Sequence, residues 1–419
     1  MAFINRLRGS KYLQKCLYYG GVRNYSINED DLCKYIEEDT LVKFERSCEL
    51  RGHEDNMRTI RKLVAQLQMK TPNCQQVTIR KELFKEILKL PNLTHPRVMN
   101  YGITPKEVMM YKSINFLTKN EEFSKICKKF NLLRMEHLGH FTGHKSYYLV
   151  DFLADLEQAL IQYTIRNLKL HKFRLISVPD ILPAIIINSC GMQTDTERTQ
   201  VYKLDSGKCL SGTSEMALAG YFKNNFFEES QLPLRVAAVS RCYRAETSSL
   251  KQENGIYRVH FFTKVEMFCI CSAKQSENIL ENFKDIEVKL FKNLNLSFRL
   301  LDMPSKELGT PAYQKYDIEA WMPGKKMWGE ISSCSNCTDY QARRLNIKYR
   351  SNEGHHKYVH TVNGTGAAIP RLLIALLESL QNDSNIIILP EVLSQFMKKK
   401  ALKYKNKTPE IKFVKCLLF

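Results

Sequence analysis

The sequence has no apolar run approaching the ~20 residues that cross a bilayer, so the chain is expected to be soluble, with no membrane partner. It also lacks a cysteine framework. Its 13 cysteines are odd in number and scattered, which argues against a disulfide scaffold and for reduced thiols. Cys334 and Cys337 form a lone C-x-x-C, and Cys269, Cys271, His355 and His356 fall at no regular spacing from it. A zinc site needs about four ligands, so no structural zinc is expected. Neither a G-x-x-x-x-G-K loop nor a G-x-G-x-x-G fingerprint with its flanking strands is present, and there is no internal repeat or low-complexity tract.

Acidic residues are missing from Met1 to Ser26, where Arg6, Arg8, Lys11, Lys15 and Arg23 alternate with Leu7, Leu13, Leu17 and Tyr18. An acid-free, Arg-containing, amphipathic start is the pattern of a mitochondrial presequence. Arg23-Asn24-Tyr25-Ser26 resembles a matrix-protease site with cleavage after Tyr25. Residues 1–25 are therefore expected to be a targeting segment and the mitochondrial matrix the destination. The whole chain carries a formal charge of +19, from 63 Lys+Arg against 44 Asp+Glu. That excess favours a polyanionic partner, with nucleic acid ahead of an anionic membrane surface, although matrix-targeted proteins are often basic without binding either.

At 419 residues the chain exceeds one compact core. Residues 26–115 are read as a helical arm. Met57, Ile60, Leu63, Val64 and Leu67 recur at helical spacing with Arg58, Arg61 and Lys62 between them. After Pro72 and Asn73, Val77, Ile79, Leu83, Ile87 and Leu90 repeat the pattern among Arg80, Lys81 and Lys85. An amphipathic helix is expected over 151–170 and a strand-like run over 173–178. Short β-rich runs then alternate with loops until an apolar helix over 370–381. Strands in the middle and helices at both sides predict an α+β domain, residues 116–397, on a mostly antiparallel sheet. Residues 398–419 form a basic tail with eight lysines and one acid, Glu410; an RNA contact and plain solvation are both open.

Four polar pieces carry the chemistry. Thr213-Ser214-Glu215 is expected on a strand, with its hydroxyl and carboxylate on one side, able to hold an ammonium and a neutral donor together. Arg241 to Glu246, a polar loop, and Gly255 to Glu266 read as strand, loop, strand. Arg244 and Glu246 would share a face, as would Phe262, Lys264 and Glu266. An arginine there can clamp a phosphate bidentately and an aromatic can stack on a purine. Glu330 to Asn336 would place Glu330 and Ser332 on one strand face, where a carboxylate is a candidate Mg²⁺ ligand. Asn363-Gly364-Thr365-Gly366 leads into a helix opened by Pro370, with Arg371 at its start, where the dipole also favours anions.

In this order the four pieces resemble class II aminoacyl-tRNA synthetases and, within them, the seryl-tRNA synthetase family. Leu156-Glu157-Gln158-Ala159-Leu160 through Pro179 resembles motif 1, at the dimer interface; Arg244 to Glu266 resembles motif 2; Gly364 to Glu378 resembles motif 3. Gln341-Ala342-Arg343-Arg344 and His360-Thr361-Val362-Asn363 match the seryl branch, and Asp302-Met303-Pro304 and Glu319 to Pro323 its animal mitochondrial form. The resemblance implies a homodimer through 151–180 and a ligase for mitochondrial tRNA(Ser) that uses ATP, Mg²⁺ and serine. It assigns Arg244, Glu246, Phe262, Glu330, Ser333 and Arg371 to ATP, and Thr213, Glu215, Arg244, Glu266, Asn363 and Thr365 to serine. Arg244, Arg371 and Glu330 would carry catalysis, with Glu330 a candidate Mg²⁺ ligand. The alternative is a catalytically inactive paralogue that binds RNA or pairs with the active enzyme. Three departures stand out: Phe261 where the family has Gln, Thr365 where it has Ser, and Thr247-Ser248 where bacterial members have Ala-Gly.

Overall fold

The computed structural model describes residues 37–69, 73–113, 120–135, 138, 142–196, 199–246, 253–381, 386–397 and 401–402. The targeting segment, Thr247-Ser248 and all of the basic tail except Ala401 and Leu402 lie outside the described residues.

Among the described residues three helices come first: α1 (Glu38–Arg51), α2 (Glu54–Gln68) and α3 (Asn73–Lys89). The apolar positions read from the sequence point inward. Met57, Ile60, Leu63, Val64 and Leu67 of α2 are buried against Leu83, Ile87 and Leu90, and Leu41, Phe44 and Cys48 of α1 complete the small core. Arg58, Lys62, Lys81 and Lys85 face outward. The helical unit stops at Lys89. Lys106–Tyr111 is a strand, β1, and it forms the outer edge of the large sheet. The first strand of the sheet thus falls inside the stretch read as helical arm, because Lys106-Glu107-Val108-Met109-Met110-Tyr111 is too short and too exposed for periodicity to reveal it.

The remaining framework is α4 (Phe152–Leu170), β2 (Arg174–Leu175), α5 (Ala184–Ser189), α6 (Ser214–Tyr221), β3 (Leu234–Tyr243), β4 (Phe261–Cys271), α7 (Ser276–Asn293), β5 (Phe298–Asp302), β6 (Gln314–Met322), β7 (Met327–Thr338), α8 (Tyr340–Leu345), β8 (His360–Ala368) and α9 (Ile369–Ser379). Eight strands pair in the order β1-β5-β6-β7-β8-β4-β3-β2. All neighbours are antiparallel except β2 against β3. This is the α+β architecture expected from the sequence.

The two sheet faces have different neighbours. Val265, Met267, Cys269 and Cys271 of β4 join Val362 of β8 and the apolar stripes of α4, α7 and α9 in the main core. Phe268 and Ile270 face the other way, into a second core with Ile187 of α5, Leu218 of α6 and Leu345 of α8. This alternation is the period-two consequence of a pleated strand buried on both sides. Past the second core that face opens, and the polar pieces lie there.

Buried side chains fasten the helical unit to the sheet domain. Arg51 donates from Nε to Thr94 Oγ1 at 2.9 Å, and from Nη2 to the carbonyls of Ala312 at 2.8 Å and Leu93 at 3.0 Å. Asn92 Nδ2 donates to the carbonyls of Pro311 and Cys337, each at 2.8 Å. Burial pulls the Arg51 guanidinium down to about 10, which leaves it charged at neutral pH. Arg51→Met would strand several buried oxygens. It is expected to cost roughly 2–4 kcal/mol in urea unfolding; a change below roughly 0.5 kcal/mol would show that the clamp contributes little.

Candidate active site

Backbone irregularities aim the side chains. Between β6 and β7 the register slips: Ile318 pairs with Ser332 but Glu319 with Glu330. Ile331 is the extra residue of a β-bulge. Simple alternation would put Glu330 and Ser332 on one face; the bulge reverses that. Glu330 shares its face with Ser333, while Ser332 turns away and donates to the Thr365 carbonyl at 2.6 Å. A second slip, with Thr365 opposite Glu266 but Ala367 opposite Val265, makes Gly366 the extra residue of β8. A Cβ on Gly366 would come within 2.8 Å of Thr164 Cγ2, so only glycine lets β8 lie this close to α4.

Thr213-Ser214-Glu215 is not a strand. Thr213 is the N-cap of α6, its Oγ1 accepting from the Glu215 N–H at 3.3 Å, and Glu215 lies in the first turn. Three residues of T-S-E fit a cap as well as a strand, and a local pattern cannot separate them. Arg244 and Glu246 likewise follow β3 instead of extending it. The Glu246 N–H donates to the Arg244 carbonyl at 2.9 Å, a tight turn that still delivers both side chains to one place.

That place is a cleft of ≈ 760 Å³ in open communication with solvent. Arg244, Glu246, Phe262, Glu330, Ser333, Thr365 and Arg371 all line it. The two arginines come from the turn after β3 and from the start of α9, yet both line the cleft. The Arg244 guanidinium lies 5.3 Å from the centre of the Phe262 ring. The Arg371 guanidinium lies 4.6 Å from that of Tyr257. Arg371 Nη1 donates to the Glu330 carbonyl at 2.9 Å and reaches the Glu330 carboxylate at 3.4 Å. Burial pushes the Glu330 carboxyl up, but Arg371, Lys315 and Arg244 outweigh it and hold the group below the usual carboxylate range.

The remaining predicted residues form a second, buried cluster beside the cleft. Asn363 Nδ2 donates to Glu215 Oε1 at 2.7 Å. The Thr213 hydroxyl lies beside Glu266, and Glu266 is ion-paired with Lys264, which lines the cleft and so joins the two groups. Burial, reinforced by the Glu266 charge, raises the Glu215 carboxyl to about 7.

Several residues of the site went unassigned in the sequence. Arg258 reaches Glu246 at 3.4 Å. Lys315 and Asp317, on the same face of β6, pair at 2.8 Å, with burial pushing Asp317 up. Tyr257 floors Arg371, and Gln341 donates to Glu215. Strand alternation pairs Lys315 with Asp317, but only the sheet order reveals that β6 adjoins the Glu330 strand. Cys334 and Cys337 are buried free thiols. Among the described residues, no group of three or more His, Cys, Asp or Glu side chains could hold a metal, and no helix is long and apolar enough to cross a membrane.

The fold is that of a class II aminoacyl-tRNA synthetase: the family described as the tRNA synthetase class II core domain (G, H, P, S and T) matches residues 200–380. The mitochondrial serine–tRNA ligase of Bos taurus is 38% identical over 384 residues, covering 90% of this chain and 71% of its own length. That of Mus musculus is 39% identical over 337 residues, covering 77% of this chain and 64% of its own. In fold, the chain superposes on the seryl-tRNA synthetase from Pyrococcus horikoshii complexed with ATP with a TM-score of 0.79, at 24% identity, covering 88% of this chain and 98% of that one. The chain belongs to the serine–tRNA ligase family.

Behind the cleft, on α7, Glu287 is fully buried. A Cβ on Gly364 would meet its Oε1 at 2.7 Å. Its oxygens lie beside the Ser332 hydroxyl and the Cys334 thiol without a well-aligned hydrogen bond, and burial pushes its carboxyl well above the ordinary range. A raised carboxyl binds its proton more tightly folded than unfolded. Its contribution to stability is thus full below the unfolded value and is lost as pH rises towards the folded one. Glu287→Gln should melt closer to wild type at pH 5 than at pH 8, where it should be the more stable protein; equal differences at both pH values would contradict this.

Proposed function

We propose that the chain joins serine to mitochondrial tRNA(Ser) with ATP, in the mitochondrial matrix. The observation that carries this reading is that Arg244 and Arg371 line one cleft, next to the buried Thr213–Glu215–Glu266–Asn363 cluster. A nucleoside triphosphate needs cationic, planar donors and an aromatic surface, and a small zwitterionic amino acid needs a carboxylate and amide donors. The cleft supplies the first set and the cluster the second.

In this reading adenine stacks on Phe262, Glu246 contacts the adenine end, and Arg244 and Arg371 hold the phosphates. The serine carboxylate attacks the α-phosphorus of ATP, forming the mixed anhydride and releasing pyrophosphate. The terminal ribose hydroxyl of tRNA then attacks the carbonyl and AMP leaves. No side chain becomes a nucleophile. The protein acts by positioning and by stabilising charge at the phosphates. Glu330 and Ser333, sharing a face because of the bulge, suit a Mg²⁺ that keeps most of its oxygen ligands from water and substrate phosphates. When bound, that ion would neutralise phosphate charge. Serine is told from alanine by hydrogen bonds to its hydroxyl, because unpaired buried polar groups penalise the analogue. The Thr365 methyl, at the junction of cleft and cluster, narrows this space compared with serine.

The inactive-paralogue reading is disfavoured by the retention of every charged residue that the chemistry needs. The outward basic face of α2 and α3 suits an RNA backbone. A homodimer through α4 and β2 is supported by Leu170, Leu175 and Ile181, exposed apolar side chains beside the sheet edge.

Serine-dependent ATP–pyrophosphate exchange tests the reading. Wild-type protein should catalyse it, and Arg244→Ala should lower it at least about 10²-fold. Well-folded wild type without exchange, or an Arg244→Ala protein of full activity, would refute it.

A further inference from the structure

Gln341 lies on α8, outside the strands that build the cleft, and is fully buried. Its Nε2 donates to Glu215 Oε1 at 2.6 Å, the same oxygen that accepts from Asn363 at 2.7 Å. Two donors fill the two lone pairs of that oxygen. Its own Oε1 is buried with no partner. An orphaned buried acceptor costs stability, so this amide is kept for its N–H and not for its own hydrogen-bonding balance.

We infer that Gln341 is a positioning residue for serine selection: with Asn363 it pins Glu215 by one oxygen and leaves the other for the substrate's ammonium or hydroxyl. This rests on the proposed reading of the Glu215 cluster. The groups that face Glu215 make such a support necessary. Glu266 and Lys264 approach from β4, Cys337 from β7 and Cys190 from the end of α5. Burial and the Glu266 charge favour a neutral Glu215; the Gln341 and Asn363 donors and Lys264 favour the carboxylate. The support is itself anchored, because Arg344, three residues on, donates from Nη2 to the Leu88 carbonyl of α3 at 3.1 Å.

The test is Gln341→Met in the full chain, with serine-dependent ATP–pyrophosphate exchange as readout. The serine KM should rise about tenfold or more, with the ATP KM unchanged. The acid limb of kcat/KM for serine should move to higher pH, because a donor that favours the charged carboxylate is gone. An unchanged serine KM, or serine and ATP KM values rising together alongside a fall in Tm, would overturn the inference. The exchanged pair Glu215→Gln/Gln341→Glu keeps a carboxylate–amide hydrogen bond but moves the charge. It should melt at or above Gln341→Met and still use serine poorly; recovery of the wild-type serine KM would overturn the inference. Inactive wild type would instead refute the serine-site reading itself, and active wild type with a normal Gln341→Met refutes only this inference.

Discussion

The site depends on the ion pair between Arg371 and Glu330. Arg371 enters from the first turn of α9, a helix whose residues from Leu372 to Leu377 are all apolar and packed behind the sheet. Glu330 enters from the first third of β7. Their contact, reinforced by Arg371 donating to the Glu330 backbone carbonyl, ties the helix start to the sheet face and fixes a guanidinium at the cleft. An arginine held this way loses little further freedom on meeting a phosphate, which is the advantage of pre-organisation. The carboxylate stays charged because cationic neighbours outweigh its burial.

Two one-residue insertions in the ladder make that geometry available. The bulge at Ile331 swings Ser333 to the side of Glu330, and the bulge at Gly366 re-aims β8 between Thr365 and α9. Both interrupt regular pairing, and both stand beside the cleft, as bulges that redirect side chains do. The opposite face bears the cost. There Gly364 makes room for Glu287, an acid buried without a charged partner behind the β8 strand.

Much of the fold was legible because it is periodic. The α4 helix, the β3, β4 and β6 strands and the helix after Pro370 all follow from spacing two or spacing three to four. The cleft residues were legible through a family resemblance and not through spacing. Alternation alone placed Thr213 on a strand and paired Glu330 with Ser332, and both placements fail for physical reasons: a hydroxyl that caps a helix, and a bulge that flips the pleat. β1 was hidden because an exposed edge strand carries no buried stripe. Gln341, Lys315 and Asp317 owe their places to sheet order and helix docking, which no local window contains.

The central claim is that one surface of the sheet cradles a nucleotide and a small amino acid together. A crystal structure with a non-hydrolysable sulfamoyl analogue of seryl-adenylate tests it most directly. The account predicts adenine on Phe262, the phosphate mimic against Arg244, and the seryl group among Glu215, Glu266 and Asn363. An analogue bound away from Arg244 and Arg371, or with its seryl end pointing out to solvent, would contradict it.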